Sequence, residues 1–423
     1  MLTRPLKKLV VLATVGAAVW LLTGGTAKAS YQLTQTYNDP SSGNNDNFGY
    51  SAALNGNNSV LIGAYGVGGG QGAAYLYNTS GTPLHTFKDP SSGHGDNFGF
   101  SVALNGNNVL IGAPGVRGGQ GAAYLYNTSG TLLGTYSDPN SSNRDYFGVS
   151  VALNGNNVLI GGTGVPGGNY QGAAYLYNTS GTLLGTYSDP SSGNGDIFGS
   201  SVALNGNNVL IGAYGVPDGN AQGAAYLYNT SGTLLKTFKE PSSGYNYNDQ
   251  FGESVALNGN NVLIGAPGVP SGNYQGAAYL YNTSGTLLKT FNDPSSGNGD
   301  NFGVYVALNG NNVLIGAAGV PGGNNQGAAY LYNTSGTLLQ PFNDTSSGYN
   351  DLFGNFVALN GNNVLIGANG VPGGNNQGAA YLYQQQSPES VPEPSNLMAV
   401  DLLLGLRLTF GYLKRSQESE GRR

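Results

Sequence analysis

The chain has 423 residues, of which 72 are Gly and only 9% are charged; Cys is absent and the net charge is −6. Without Cys there is no disulfide framework, thiolate metal site or cysteine nucleophile. Gly does not recur at every third position, which excludes collagen, and the acidic balance excludes the basic clusters of a nucleic-acid binder. Gly, Asn, Ser and Thr are poor helix formers, so long helices are not expected. In chain order, residues 1–29 read first, as a secretory signal peptide. Arg4, Lys7 and Lys8 form its positive start, and the apolar middle, 9–22, is too short for a comfortable membrane span. Ala27-Lys28-Ala29 is a small-x-small cleavage site that puts the mature start at Ser30. An uncleaved anchor is the alternative.

Residues 30–386 are an internal repeat. A Phe-Gly pair recurs at Phe48, Phe98, Phe147, Phe198, Phe251, Phe302 and Phe353, in steps of 50, 49, 51, 53, 51 and 51 residues. Each copy continues Val-Ala-Leu-Asn-Gly-Asn-Asn (Ala52 replaces Val in the first), then Val-Leu-Ile-Gly, Gly-Val and Gln-Gly-Ala-Ala-Tyr-Leu-Tyr. The second copy predicts four strands: A at 100–105, B at 109–113, C at 122–126 and D at 132–136. Asn-Gly-Asn-Asn between A and B, and Asn127-Thr128-Ser129-Gly130 between C and D, are tight-turn signals because Asn and Gly tolerate positive φ. Strand C alternates, with Tyr124 and Tyr126 on one face and Leu125 on the other. So small a sheet must stack on neighbours, and seven can close into a ring. The last copy stops at Tyr383 without a strand D, and residues 31–40 align with the strand D segment of later copies such as 181–190. The reading is therefore all-β: a seven-bladed β-propeller of four-stranded blades, its N-terminal strand closing the last blade.

These units resemble FG-GAP repeats, which build the seven-bladed propeller of integrin α subunits and of many bacterial surface proteins. Phe98-Gly99 supplies the first half of the signature, and Gly112-Ala113-Pro114 and Gly265-Ala266-Pro267 the second. The resemblance implies an extracellular propeller, adhesive or ligand-binding. Many FG-GAP units hold calcium in an Asp-rich loop between the first two strands. Here that place is Asn-Gly-Asn-Asn, with no carboxylate for a Ca²⁺ ion, so those sites are not carried over.

Composition changes again at Gln384, and residues 387–423 read as a polar linker and a sorting segment. Val391, Pro392, Glu393, Pro394 and Ser395 precede a mostly apolar stretch, 397–413, and then Lys414-Arg415. This resembles the PEP-CTERM sorting signal. It implies handling by a membrane enzyme of the exosortase type, in a bacterium that makes extracellular polysaccharide. The membrane is then met only through this C-terminal segment before processing. A Pro-containing tail without that role is the alternative.

In a closed ring the A–B and C–D turns share one face, and the longer, more varied B–C and D–A loops share the other, where specificity can reside. Residues 30–386 contain 16 Asp and Glu against 6 Lys and Arg, and 14 of the acids fall in the D–A loops. One row is Asp39, Asp89, Asp138, Asp189, Glu240, Asp293 and Asp344. The other is Asp46, Asp96, Asp145, Asp196, Asp249, Asp300 and Asp351, each two residues before Phe. A crown of carboxylates on one face follows. With Ser hydroxyls and Gly carbonyls the second row offers oxygen ligands for calcium. The local alternative is that Asp accepts turn N–H bonds and exposed acid keeps a Gly-rich disc soluble. Tyr65, Tyr170, Tyr214, Tyr245, Tyr247, Tyr274 and Tyr349 stand on the same face and suit sugar stacking; loop filling is the alternative. His85 and His94 each occur in a single copy without the Ser and Asp partners of a triad, so no catalytic residue and no required cofactor is assigned. The expected function is a secreted or cell-surface, non-enzymatic binding or adhesion module. Its expected partners are extracellular polysaccharide or surface proteins. A structural component of an extracellular polysaccharide matrix, with no discrete ligand, is the alternative.

Overall fold

A computed structural model describes residues 30–386 except 57, 140–143, 166–168, 192, 217–220, 242–247, 271–272, 296, 321–324, 345–347 and 373–374. The signal segment 1–29 and the motif residues Val391, Pro392, Glu393 and Pro394 lie outside the described residues, as do Tyr245 and Tyr247. Tyr31–Gln385 forms one compact unit of seven four-stranded antiparallel sheets.

Blade 2 shows the pattern: strand A is Ser101–Asn105, B Asn108–Ala113, C Ala122–Asn127 and D Leu132–Tyr136. Each bound falls within a residue of the sequence expectation. Asn105 pairs with Asn108, leaving a two-residue turn in which Gly106 takes φ +58°. At the C–D turn the Asn127 side-chain oxygen accepts the backbone N–H groups of Ser129 and Thr131 at 3.1 and 2.8 Å. The recurrent Asn-Thr-Ser is thus a turn built by its own Asn. The short B–C loops of blades 1 and 2, Val67–Gly70 and Val116–Gly119, are tight turns whose middle residues take left-handed backbone, Gly68 and Gly69 at φ +64° and +77° and Arg117 and Gly118 at φ +52° and +72°.

The alternation in strand C divides each blade between its two neighbours. Tyr124 and Tyr126 of blade 2 join Val109 and Ile111 against Leu61, Leu76 and Phe87 of blade 1. Leu110 and Leu125 face the other way, into the core shared with blade 3. Burial of one such leucine contributes about 1.5–3 kcal/mol, and every blade repeats the arrangement.

The Phe-Gly pair is the wedge between blades. Phe98 is fully buried, its ring 5.7 Å from that of Tyr124. Its backbone forms a parallel bridge with Gly72 of the preceding blade, and the equivalent bridge Phe48–Gly378 joins blade 7 to blade 1. Gly99 sits at φ +90°, where a Cβ would run into the carbonyl of Ala73 in the preceding blade. Around the inner rim, Asn side chains tie each A–B turn to the next: Gly155, Gly206 and Gly259 donate their N–H to Asn105, Asn154 and Asn205 at 3.2, 3.2 and 3.1 Å.

Closure follows the expected route. Blade 7 has strands Phe353–Asn360, Asn363–Ala368 and Ala379–Gln385, and Tyr31–Asn38 is its fourth. The register runs from Tyr31 opposite Gln385 to Asn38 opposite Ala379.

Candidate functional site

The D–A loops do not form a crown of exposed charge. All seven aspartates of the second row, Asp46, Asp96, Asp145, Asp196, Asp249, Asp300 and Asp351, are buried, as are Asp89, Asp138 and Asp189 of the first. The physical reason is loop closure. Asp196 accepts the Gly193 N–H at 3.0 Å, and Asp46, Asp96, Asp300 and Asp351 accept the matching Gly43, Gly93, Gly297 and Gly348 N–H groups. The Ser191 hydroxyl, with one proton to give, lies 2.8 Å from Asp189 and 2.6 Å from Asp196. Burial, reinforced by the neighbouring Asp196, pushes the Asp189 carboxyl up to about 6. Burial likewise pushes Asp293, beside Asp300, up to about 6, and raises Asp39 and Asp89. Among the described residues no group of three or more His, Asp or Glu side chains is placed to hold a metal ion. These hydrogen bonds hold the loops closed from within.

The singled-out tyrosines do not act together. Tyr349 is 68% exposed and Tyr274 is half-buried in its own loop. Tyr170 lies beside Tyr146, away from the axis. Only Tyr65 and Tyr214 converge, and they converge on the central channel with residues that the sequence reading passed over.

Each strand A begins at the end of the channel nearest the D–A loops. Two positions after Phe-Gly differ from blade to blade: Tyr50-Ser51, Phe100-Ser101, Val149-Ser150, Ser200-Ser201, Glu253-Ser254, Val304-Tyr305 and Asn355-Phe356. The next three are Val-Ala-Leu in every blade but the first, and they line the opposite end of the channel. All of these variable residues except Asn355 line a cavity of about 390 Å³ on the axis, together with Tyr214 and Thr163 from strand B ends. Tyr50, Tyr65 and Phe100 form a triangle of rings with centroids 4.7, 4.9 and 5.4 Å apart. Across from them Tyr305 and Phe356 are 5.4 Å apart.

Glu253 is the one carboxyl in this wall. Its Oε2 is buried and accepts no hydrogen bond among the described residues. Burial pushes its carboxyl up to about 7. The phenols stay neutral: burial raises Tyr50 and Tyr65 and takes Tyr214 to about 12. The cavity therefore offers aromatic faces and edges and a single acid that ionises near neutral pH, while the Ser51, Ser101 and Ser150 hydroxyls donate to the carbonyls of Gly99, Gly148 and Gly199. Among the described residues it has no base–nucleophile pair. The sequence signal for it was present: a position that changes in nearly every unit, and a second that departs from Ser in two, just ahead of a near-invariant Val-Ala-Leu.

Seven segments of the chain, 39–77, 90–126, 137–177, 188–228, 242–281, 293–332 and 343–383, match one family model, described as FG-GAP repeat. Together they cover well over half of the sequence, and each spans one unit from its D–A loop to the end of strand C. No curated protein matches the chain significantly.

Proposed function

The chain belongs to the FG-GAP repeat family, and on that footing we propose that it is a non-enzymatic binding module that takes a cationic group into the axial cavity. The observation that carries this reading is the lone, unpartnered Glu253 carboxyl set among Tyr50, Tyr65, Phe100, Tyr214 and Tyr305. Aromatic rings attract a desolvated cation by about 2 kcal/mol or more, and an ionised carboxylate in the same enclosure completes the charge. An alkylammonium or guanidinium group, free or on a partner's side chain, has that chemistry and fits a cavity of about 390 Å³. We place the protein outside the inner membrane of a bacterium, secreted or at the cell surface, as an adhesion module. The support is the signal-type segment 1–29 and the Val-Pro-Glu-Pro string at 391–394, which also names an exosortase-type enzyme as processing partner.

The test is calorimetric titration of the purified chain with choline and with methylguanidinium at pH 6 and pH 8. With the Glu253 carboxyl at about 7, the ionised fraction rises about tenfold over that interval, and so should the affinity. Glu253→Val should weaken binding and flatten its pH dependence. Affinity that is absent at millimolar concentrations, or that ignores pH, refutes the assignment.

A further inference from the structure

Away from the axis, a second place on the loop face combines positive charge with aromatic surface. Residues 30–386 contain six Lys and Arg, and two of them, Arg117 and Arg144, stand on touching loops of blades 2 and 3. The Tyr146 N–H donates to the Gly119 carbonyl at 2.8 Å. A Cβ on Gly119 would lie 3.4 Å from the Arg144 Cα and 3.3 Å from the Tyr146 ring. Both arginines are exposed, and both hold left-handed backbone, at φ +52° and +68°. The position of Arg144 is Asn45, Gly95, Gly195, Asn248, Gly299 or Asn350 in the other six units, and that of Arg117 is Gly68 in the one other unit with the same short loop. A long side chain at such a backbone carries a conformational penalty that Asn and Gly avoid. The chain accepts it twice, at neighbouring positions, in one sector.

That sector also holds the one near-parallel ring pair among the described residues, Tyr146 and Tyr170, with centroids 6.2 Å apart and planes 24° apart. Tyr170 is 40% exposed. Beside them Arg117 borders a hollow of about 660 Å³ whose wall includes Asp96, Gln120, Tyr124 and Asp138. Guanidinium groups fit carboxylates in bidentate geometry. Flat rings suit sugar faces. A simple anion would use only the arginines. A neutral sugar would leave them idle.

We propose that the blade 2–blade 3 sector is a binding site for an acidic, uronate-type glycan, with Arg117 and Arg144 on its carboxylates and Tyr146 and Tyr170 against its rings. The site is separate from the axial cavity and needs no ligand there.

The experiment is calorimetric titration of the purified chain with a galacturonate hexamer and with its methyl ester, in which each carboxylate charge is replaced by a small neutral ester. Choline binding is measured separately on the same sample. The acid form is expected to bind at least tenfold more tightly than the ester, and to weaken as salt rises. Arg117→Gly combined with Arg144→Asn installs the residues of sister units, so folding is retained, as a thermal melt confirms. This variant should lose at least tenfold in affinity for the acid form and little for the ester. Tyr170→Ala should weaken both forms. No binding of the hexamer, equal binding of acid and ester, or an unchanged double variant overturns the proposal.

Discussion

Replacing Glu253 by Val tests the axial cavity through stability, with no ligand needed. Val stands at the same position in two other units, as Val149 and Val304, so the position accepts it. The carboxyl moves from 4.5 in the unfolded chain to about 7 in the folded one, for reasons of burial alone. At about 1.4 kcal/mol per unit this is worth about 3 kcal/mol. A raised carboxyl favours the folded state below its unfolded value, and that contribution is lost as pH rises through 7. Wild-type stability should therefore fall by about 3 kcal/mol between pH 4 and pH 8.5 from this group. The variant has no such group, so the difference in stability, variant minus wild type, should grow over that interval by the same amount. Any constant packing change from the new side chain drops out of that comparison. Urea unfolding at pH 4, 5.5, 7 and 8.5, followed by tyrosine fluorescence and circular dichroism, measures it. A difference that stays flat with pH refutes the buried, unpartnered state of the carboxyl, and with it the electrostatic part of the binding argument.

Asp189→Asn with Asp293→Asn acts in an overlapping window. Those carboxyls, at about 6, favour the folded state at acid pH and lose that contribution as pH rises through 6, so the double variant should show a shallower fall in Tm between pH 4 and pH 7.5. Screening by the solvent that borders these loops holds the effect to about 1 kcal/mol per site, measured by calorimetric melts. Gly99→Ala meets the Ala73 carbonyl at positive φ and should cost about 3 kcal/mol or more, whereas Gly106→Ala, with open space around it, should cost about 1 kcal/mol. Equal losses in urea titration would remove the clearance argument. Deleting residues 31–38 strips blade 7 of its outer strand and exposes the shared apolar surface of Tyr31 and Tyr37. Limited proteolysis should then release fragments of blade 7 first, with Tm lowered by 10 °C or more on the order expected for several kcal/mol.

The fold was legible because it is written seven times. A single Val-Ala-Leu-Asn-Gly-Asn-Asn string is ambiguous, but its recurrence with the missing strand found at the other end leaves one topology. The turns were legible because the Asn127 side chain accepts the turn N–H groups and Gly106, lacking a Cβ, takes positive φ without strain. The acidic loops were misjudged as exposed because sequence shows charge but not enclosure: a carboxylate that accepts the Gly193 N–H is a strut, although it reads as surface. The axial cavity was missed for a related reason. Tyr50, Phe100, Glu253, Tyr305 and Phe356 stand in or just before strand A, where repetition directs attention to what is shared, while only the closed ring brings these exceptions together. Tyr146 was passed over because its stacking on Tyr170 depends on two loops meeting across a blade boundary.

The pairing of Tyr31–Asn38 with Ala379–Gln385 fixes an order of events. The first ordered strand to be synthesised has no partner until the last one has been made, more than three hundred residues later. Six blades can assemble as the chain emerges, but the disc stays an open arc throughout. Long-range pairing of this kind is slow to form. Whatever handles the chain during synthesis therefore meets an incomplete arc until Gln385 arrives, and maturity is reached in a single late step.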